Sequence, residues 1–215
     1  MEAKLVAGST YGKGRGNAKA RALRQAASRL SGGRAGIALI GMTDAKRLPD
    51  PLKALDALPA GCALIWRAYG AGTDAGEFQR LAARARAINC LLLIAGDPKR
   101  ARRLGAGGLH LPERLLGRIH GSRAGATTAA AHSEAAIHRA ARAGAEAVLI
   151  SPVLPTRSHE GAPPLGPIRL AHLARTARAL GLVPYALGGI SEARYVRRLT
   201  GTGIAGVAGI GFLLD

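Results

Sequence analysis

The sequence has few aromatic side chains, few cysteines and no long apolar run. Its 215 residues include two Phe, four Tyr and one Trp, so the core must be built from small aliphatic groups. The aromatic platforms on which single-stranded nucleic acids stack are therefore missing. The two cysteines, Cys62 and Cys90, lie in apolar runs with no CxxC pair and no His at metal spacing. This pattern predicts buried free thiols in a reducing compartment rather than a disulfide or a zinc site.

Apolar runs long enough to span a membrane are also absent from the sequence. The N-terminus is polar, glycine-rich and basic, unlike a signal peptide. We therefore expect a soluble, cytoplasmic protein with no membrane partner.

Acidic residues are scarce, since 31 Lys and Arg stand against 13 Asp and Glu and give a formal charge of +18. Such a charge favours a nucleic-acid partner, but its distribution argues against one. Residues 1–34 hold eight Lys and Arg and one acid, and the rest of the surplus is spread as single arginines over predicted helix faces. No helix-turn-helix or finger pattern appears, so we do not expect a nucleic-acid function.

The chain divides into a basic extension, residues 1–35, and one domain, residues 36–215. The extension carries a predicted helix at 18–30 after a glycine-rich, mobile start. In the domain, short apolar strands alternate with helices. The predicted strands are 36–42, 62–66, 90–94, 108–111, 123–127, 147–150, 183–187 and 204–208. The predicted helices are 51–58, 73–88, 98–104, a brief one after Pro112, 132–143 with Ser133 as its cap, 167–180, and one from the cap Ser191 to Leu199.

Eight strand–helix units in one domain predict a (β/α)₈ TIM barrel, which is an α/β fold. A doubly wound sheet is the alternative, but it normally has a glycine-rich loop after its first strand. Here the first strand ends in Thr43-Asp44. The glycine pairs Gly188-Gly189 and Gly209-Ile210-Gly211 follow the seventh and eighth strands instead, and in a barrel those loops hold phosphates.

The loop after the sixth strand, residues 151–166, is the most unusual stretch. It reads SPVLPTRSHEGAPPLG, with two hydroxyls, an Arg and a His within four residues. Such a loop at the end of a strand suits a bound anion. The alternative is a surface connection whose hydroxyls form local turns.

Five stretches, in order, resemble the thiamine phosphate synthases and the related TenI-like thiazole tautomerases. Residues 105–113 (GAGGLHLPE) resemble "GADGVHL", and residues 131–133 (AHS) resemble "SAHS" or "STHT". The loop SPVLPT…APPLG resembles "GPVFPTxTK…APPLG". Residues 186–191 (ALGGIS) resemble "AIGGI", and residues 206–210 (GVAGI) resemble "GVAVVS". The resemblance implies a barrel enzyme of thiamine biosynthesis. The synthases join a pyrimidine pyrophosphate to a thiazole phosphate with magnesium and release pyrophosphate.

The resemblance also implies a set of site residues. Those that would bind substrate or phosphate are Arg67, Thr156, Ser158, His159, Gly188, Gly189, Gly209, Ile210 and Gly211. His132 matches the tautomerase histidine at the barrel mouth, and imidazole suits proton transfer near neutral pH. Each residue also has a purely structural interpretation. His132 could be solvated or cap a helix, Arg67 could form a salt bridge at the rim, and the glycines could only form tight turns. His110 is interpreted as a packing residue at the edge of the core.

The magnesium and pyrophosphate positions of the family have changed in this sequence. Its two acidic ligand positions fall at Ala95-Gly96 and near Leu115, and the lysine of the loop is His159. Magnesium would therefore need an unusual site at Asp97, and we expect no other metal site. Three functions stay open: a working synthase, a tautomerase using His132, and a non-catalytic barrel that only binds a phosphate ligand or a partner protein. The expected ligand is a phosphorylated thiazole, and a pyrimidine pyrophosphate is a second candidate. The exact substrate and homo-oligomerisation are also left open.

Overall fold

The computed structural model describes residues 16–33, 36–67, 75–119, 125–156 and 163–214. Its eight strands all pair in parallel in chain order, and β8 closes on β1. The strands are β1 Leu39–Met42, β2 Ala63–Trp66, β3 Leu91–Ala95, β4 Gly108–Leu111, β5 Ala126–Ala131, β6 Ala147–Ile150, β7 Val183–Leu187 and β8 Gly206–Gly209. The predicted (β/α)₈ barrel is confirmed.

Seven α-helices and two 3₁₀ helices accompany the described strands. The α-helices are α1 Ala18–Ser28, α2 Pro51–Asp56, α3 Ala75–Ala87, α4 Pro98–Arg103, α5 Glu134–Arg142, α6 Gly166–Ala179 and α7 Ala193–Arg197. The 3₁₀ helices are Glu113–Arg118 and Gly211–Leu213. Ser133 caps α5 as predicted, because its hydroxyl accepts from the Ala136 N–H at 3.2 Å. The predicted Ser191 cap is wrong: Glu192 is the N-cap of α7, and it makes no side-chain capping bond.

The core is mainly aliphatic, as the composition predicts, and it also contains the buried aromatic side chains of Trp66, Phe78, Tyr185 and Phe212. Both cysteines are buried and free. Burial raises the pKa of the Cys62 thiol to about 12 and also raises that of Cys90, so neither is a reactive thiolate at neutral pH. No helix in the described part of the chain is long and apolar enough to cross a membrane.

The fifth strand lies further along the chain than predicted. It spans Ala126–Ala131, not 123–127, and its sequence is Ala-Thr-Thr-Ala-Ala-Ala. Alanine favours helices by intrinsic propensity, so Thr127 and Thr128 alone give only a weak strand signal there. Pairing with β4 on one side and β6 on the other imposes the strand instead. The shift brings the end of β5 to the residue just before His132.

Helix α1 packs against the barrel although it precedes the first strand. Ala20, Leu23 and Ala27 are fully buried and belong to the common core. The Asn17 side chain caps the helix through the Ala20 N–H at 2.7 Å and donates to the Phe212 carbonyl at 3.0 Å. The division of the chain at residue 35 stays a prediction. The predicted mobility of the first residues concerns 1–15, which lie outside the described residues.

Candidate functional site

A cavity of about 560 Å³ opens at the carboxyl ends of β1, β2, β6, β7 and β8. We call it the upper cavity. It brings together seven of the residues that the sequence singles out, although they come from four different loops: Arg67, Thr156, Gly188, Gly189, Gly209, Ile210 and Gly211. The carboxyl-terminal face is where TIM-barrel proteins bind their ligands.

The first glycine turn follows β7 and has a conformation that side chains resist. Gly188 and Gly189 have φ of +103° and +74°. A Cβ on Gly189 would lie 2.6 Å from both the Leu154 Cβ and the Pro155 carbonyl oxygen. The glycines therefore let the loop after β6 pack directly on the turn. The Leu154 N–H donates to the Gly188 carbonyl at 3.2 Å and fixes this contact.

The second glycine turn follows β8 and lies beside Ser191, two residues after the first turn. A Cβ on Gly211 would lie 3.3 Å from the Ser191 Cβ. Among the described residues, no acceptor takes the backbone N–H of Gly189, Ser191 or Gly211. Backbone N–H groups in such turns are the donors that phosphate oxygens use without a charged side chain.

Arg67 lies in the upper cavity and in a salt bridge at the same time. Its Nη2 donates to Asp44 Oδ2 at 2.6 Å, and its Nε donates to the Thr43 carbonyl at 2.6 Å. No described residue accepts from Nη1, which leaves that end for a ligand. The rim salt bridge that the sequence offered as an alternative is therefore present, and it orients Arg67 without using all of its donors.

Asp44 forms salt bridges with two arginines that line the upper cavity, Arg67 and Arg47. Besides Arg67 it accepts from the backbone N–H groups of Lys46 and Arg47 and from the Arg47 side chain at 3.4 Å. Partial burial alone would raise the pKa of Asp44, but the bonds from Arg47 and Lys46 outweigh it and lower the pKa to about 2. The sequence places Asp44 at the barrel's upper edge but does not reveal this role.

His132 lies elsewhere on the upper face. It lines a separate groove of about 590 Å³ beside α5 and α6, with Ser133, Arg169 and His172 among its neighbours. Its side chain is 41% exposed, and its Nδ1 contacts Glu113 Oε2. Its backbone N–H donates to the same oxygen at 2.9 Å, and Arg139 donates to Glu113 Oε1 at 2.9 Å. The structure thus does not place His132 among the residues that line the upper cavity.

Two further predicted site residues, Ser158 and His159, fall in 157–162, outside the described residues. Their proposed roles stay predictions.

The positions of the family's magnesium ligands hold no cluster of ligand side chains. Ala95 is buried at the end of β3, and Leu115 lies on the 3₁₀ helix Glu113–Arg118. Asp97 caps α4, where its Oδ1 accepts from the Lys99 N–H at 2.9 Å. Within the residues that the structure describes, no three His, Cys, Asp or Glu side chains form a group able to hold a metal.

His110 lies inside the barrel and is 2% exposed. Its Nδ1 makes a 2.9 Å hydrogen bond with Thr128 Oγ1. Burial, and secondarily the charge of Arg67, lowers the pKa of His110 to about 3, so its imidazole is neutral at physiological pH. It is more deeply buried than a core-edge residue.

Comparison with known proteins finds a match to one protein family and similarity to solved structures of the same fold. A family model described as thiamine monophosphate synthase matches residues 53–213. The thiamine phosphate pyrophosphorylase from Pyrococcus furiosus is 21% identical, with a TM-score of 0.61 over 81% of this chain and 85% of that one. The HpcH/HpaI aldolase from Desulfitobacterium hafniense DCB-2 is 14% identical, with a TM-score of 0.55 over 81% and 86%. At these identities the structures show a shared fold alone. No curated protein sequence matches the chain.

Proposed function

The chain belongs to the thiamine monophosphate synthase family, and from this membership we propose that it binds a phosphorylated thiazole in the upper cavity. The phosphate lies on the two glycine turns, and Arg67 supplies the positive charge beside it. The similar structure from Pyrococcus furiosus is that of a thiamine phosphate pyrophosphorylase, which agrees with a ligand from the same chemistry.

The observation that carries the proposal is the meeting of seven predicted residues in one cavity. The N–H groups of Gly189, Ser191 and Gly211 have no acceptor in the described part of the chain and would provide donors for phosphate oxygens. A volume of about 560 Å³ suits a single-ring heterocycle with a phosphate, since small-molecule pockets run from roughly 300 to 1,000 Å³.

We also propose that the part of the site that binds magnesium and pyrophosphate in the synthases has lost its metal ligands in this chain. Departure of pyrophosphate requires its charge to be neutralised by a hard cation held on carboxylates. Ala95 and Leu115 offer no oxygen ligand from their side chains, and one oxygen of Asp97 already caps α4. Magnesium could bind here only at an unusual site that includes Asp97.

Two versions of the proposal differ in catalysis. In the first, His132 transfers a proton on a thiazole, as in a tautomerase, with Glu113 as the carboxylate that orients its ring. In the second, the barrel is non-catalytic and only binds its phosphorylated ligand or a partner. The separation of His132 from the lining of the upper cavity favours the second version.

Calorimetric titration with the phosphorylated thiazole and with the unphosphorylated thiazole alcohol tests the proposal. We expect the phosphate ester to bind and the alcohol to bind at least about tenfold more weakly, because the turns and Arg67 recognise the phosphate. Arg67→Ala should bind the phosphate ester more weakly than the wild type does. Arg102→Ala, which removes an exposed charge from α4, is the control and should change little. Equal affinity for ester and alcohol would contradict the proposal.

A coupled assay with both phosphorylated substrates, with and without magnesium, separates the catalytic versions. A synthase would release pyrophosphate. Tautomerisation that is lost in His132→Ala would support the first version, and unchanged tautomerisation would remove His132 from the mechanism.

A further inference from the structure

Ser151 has a buried hydroxyl that bonds to none of the residues described by the structure. It directly follows β6, and its backbone N–H donates to the Ala131 carbonyl at 3.1 Å. The residue is 1% exposed and lines the upper cavity. Its Oγ is buried and has no hydrogen-bond partner among the described residues.

An unpartnered buried hydroxyl destabilises a protein, because the group loses its water and gains nothing in return. The other buried hydroxyls show what this chain does when the role is structural. Thr43 Oγ1 accepts from the Arg67 N–H at 2.8 Å, Thr128 pairs with His110, and Thr202 donates to the Leu199 carbonyl at 2.6 Å. Ser151 has no such structural reason.

Ser151 shares the wall of the upper cavity with apolar side chains. Its neighbours around the cavity include the apolar side chains of Met42, Leu187 and Ile210, which suit the faces of a flat ring.

We propose that Ser151 selects the ring of the ligand by donating a hydrogen bond to the ring nitrogen of a phosphorylated heterocycle whose phosphate lies on the glycine turns. This inference rests on the proposed function and identifies the Ser151 hydroxyl as the group that recognises the ring of the ligand. The hydroxyl reaches the ligand by rotation about χ1, which moves between staggered positions and breaks no existing bond within the described residues. A ring that lacks the acceptor leaves Ser151 unsatisfied and therefore binds more weakly.

The test compares the phosphorylated thiazole with its thiophene isostere, in which carbon replaces the ring nitrogen. Both ligands are titrated into the wild type, Ser151→Ala and the control Ser28→Ala, whose hydroxyl bonds only within α1 to the Gln25 carbonyl. We expect the wild type and the control to prefer the thiazole by about three- to tenfold. Ser151→Ala should bind the two ligands equally and should bind inorganic phosphate as the wild type does.

Persistent discrimination in Ser151→Ala would overturn this inference and leave the proposed function standing. Failure of the wild type to bind the thiazole ester at all would overturn both. Urea unfolding supplies a second readout that needs no ligand. Because the hydroxyl has no partner to lose in the part of the chain that the structure describes, Ser151→Ala should unfold at the same urea concentration as the wild type or a higher one. A clearly lower midpoint would show that the hydroxyl serves the fold, and would overturn the inference.

Discussion

At the scale of single residues, the rim of the upper cavity depends on one carboxylate. Asp44 fixes Arg67 from a neighbouring strand end and also organises its own loop through Lys46 and Arg47. One side chain thus sets the position of a cationic group in the cavity and the shape of the loop beside it. Arg67 alone would have many rotamers, and ordering them would cost ligand affinity.

We expect the stability of the protein to fall at acid pH partly through Asp44. Its pKa is depressed to about 2 in the fold, so its contribution is complete above about pH 4 and is lost as the pH falls through about 2. The loss should reach about 1–2 kcal/mol, because water at the rim screens part of the interaction. Urea unfolding of the wild type and Asp44→Asn between pH 7 and pH 2 measures it. The curve of the variant should be flatter, and parallel curves would contradict this reading.

Any side chain introduced at Gly189 should destabilise the protein. The positive φ opposes alanine, and so does the approach of Leu154 and Pro155 to 2.6 Å from the place that a methyl group would occupy. We expect Gly189→Ala to lower the free energy of unfolding by about 2 kcal/mol or more and to weaken the binding of the thiazole ester. Gly211→Ala is the matched control. Its Cβ would lie 3.3 Å from Ser191, and it should cost less than about 1 kcal/mol. Equal losses would refute the argument.

At the scale of elements, α1 behaves as part of the barrel. Leu23 is fully buried, so Leu23→Ala should lower the free energy of unfolding by about 2–5 kcal/mol through the cavity it leaves. Gln25→Ala on the exposed face of the same helix should change it by less than about 0.5 kcal/mol. If Leu23→Ala has as small an effect as the control, α1 adds nothing to the core.

Most elements were predictable because strand and helix periods are local properties of the chain. β4, β6 and β7 have the predicted bounds. β5 was misplaced because its alanines give no strand signal and only pairing with its neighbours defines it. The difference between local sequence signals and contacts in three dimensions also decides which parts of the site could be predicted. The glycine turns and Thr156 were predictable from motifs, whereas the Asp44–Arg67 pair joins two loops 23 residues apart and appears only in three dimensions.

At the scale of the whole molecule, the barrel has an upper cavity, for which we propose a phosphate ligand, and its described residues form no group able to hold a metal. The net charge of +18 also favours the binding of a phosphorylated ligand, because a positive molecule attracts anions over a long range. The resemblance places the magnesium carboxylates of the family at or near Ala95 and Leu115, whose side chains have no oxygen. Binding of the phosphate without metal is therefore the central claim.

The most direct measurement is calorimetric titration of the phosphorylated thiazole in EDTA, repeated with an excess of magnesium. We expect binding in EDTA and a change in affinity of less than about threefold when magnesium is added, because backbone N–H groups and Arg67 hold the phosphate. Binding that appears only with magnesium would contradict it and would make a working synthase the better description.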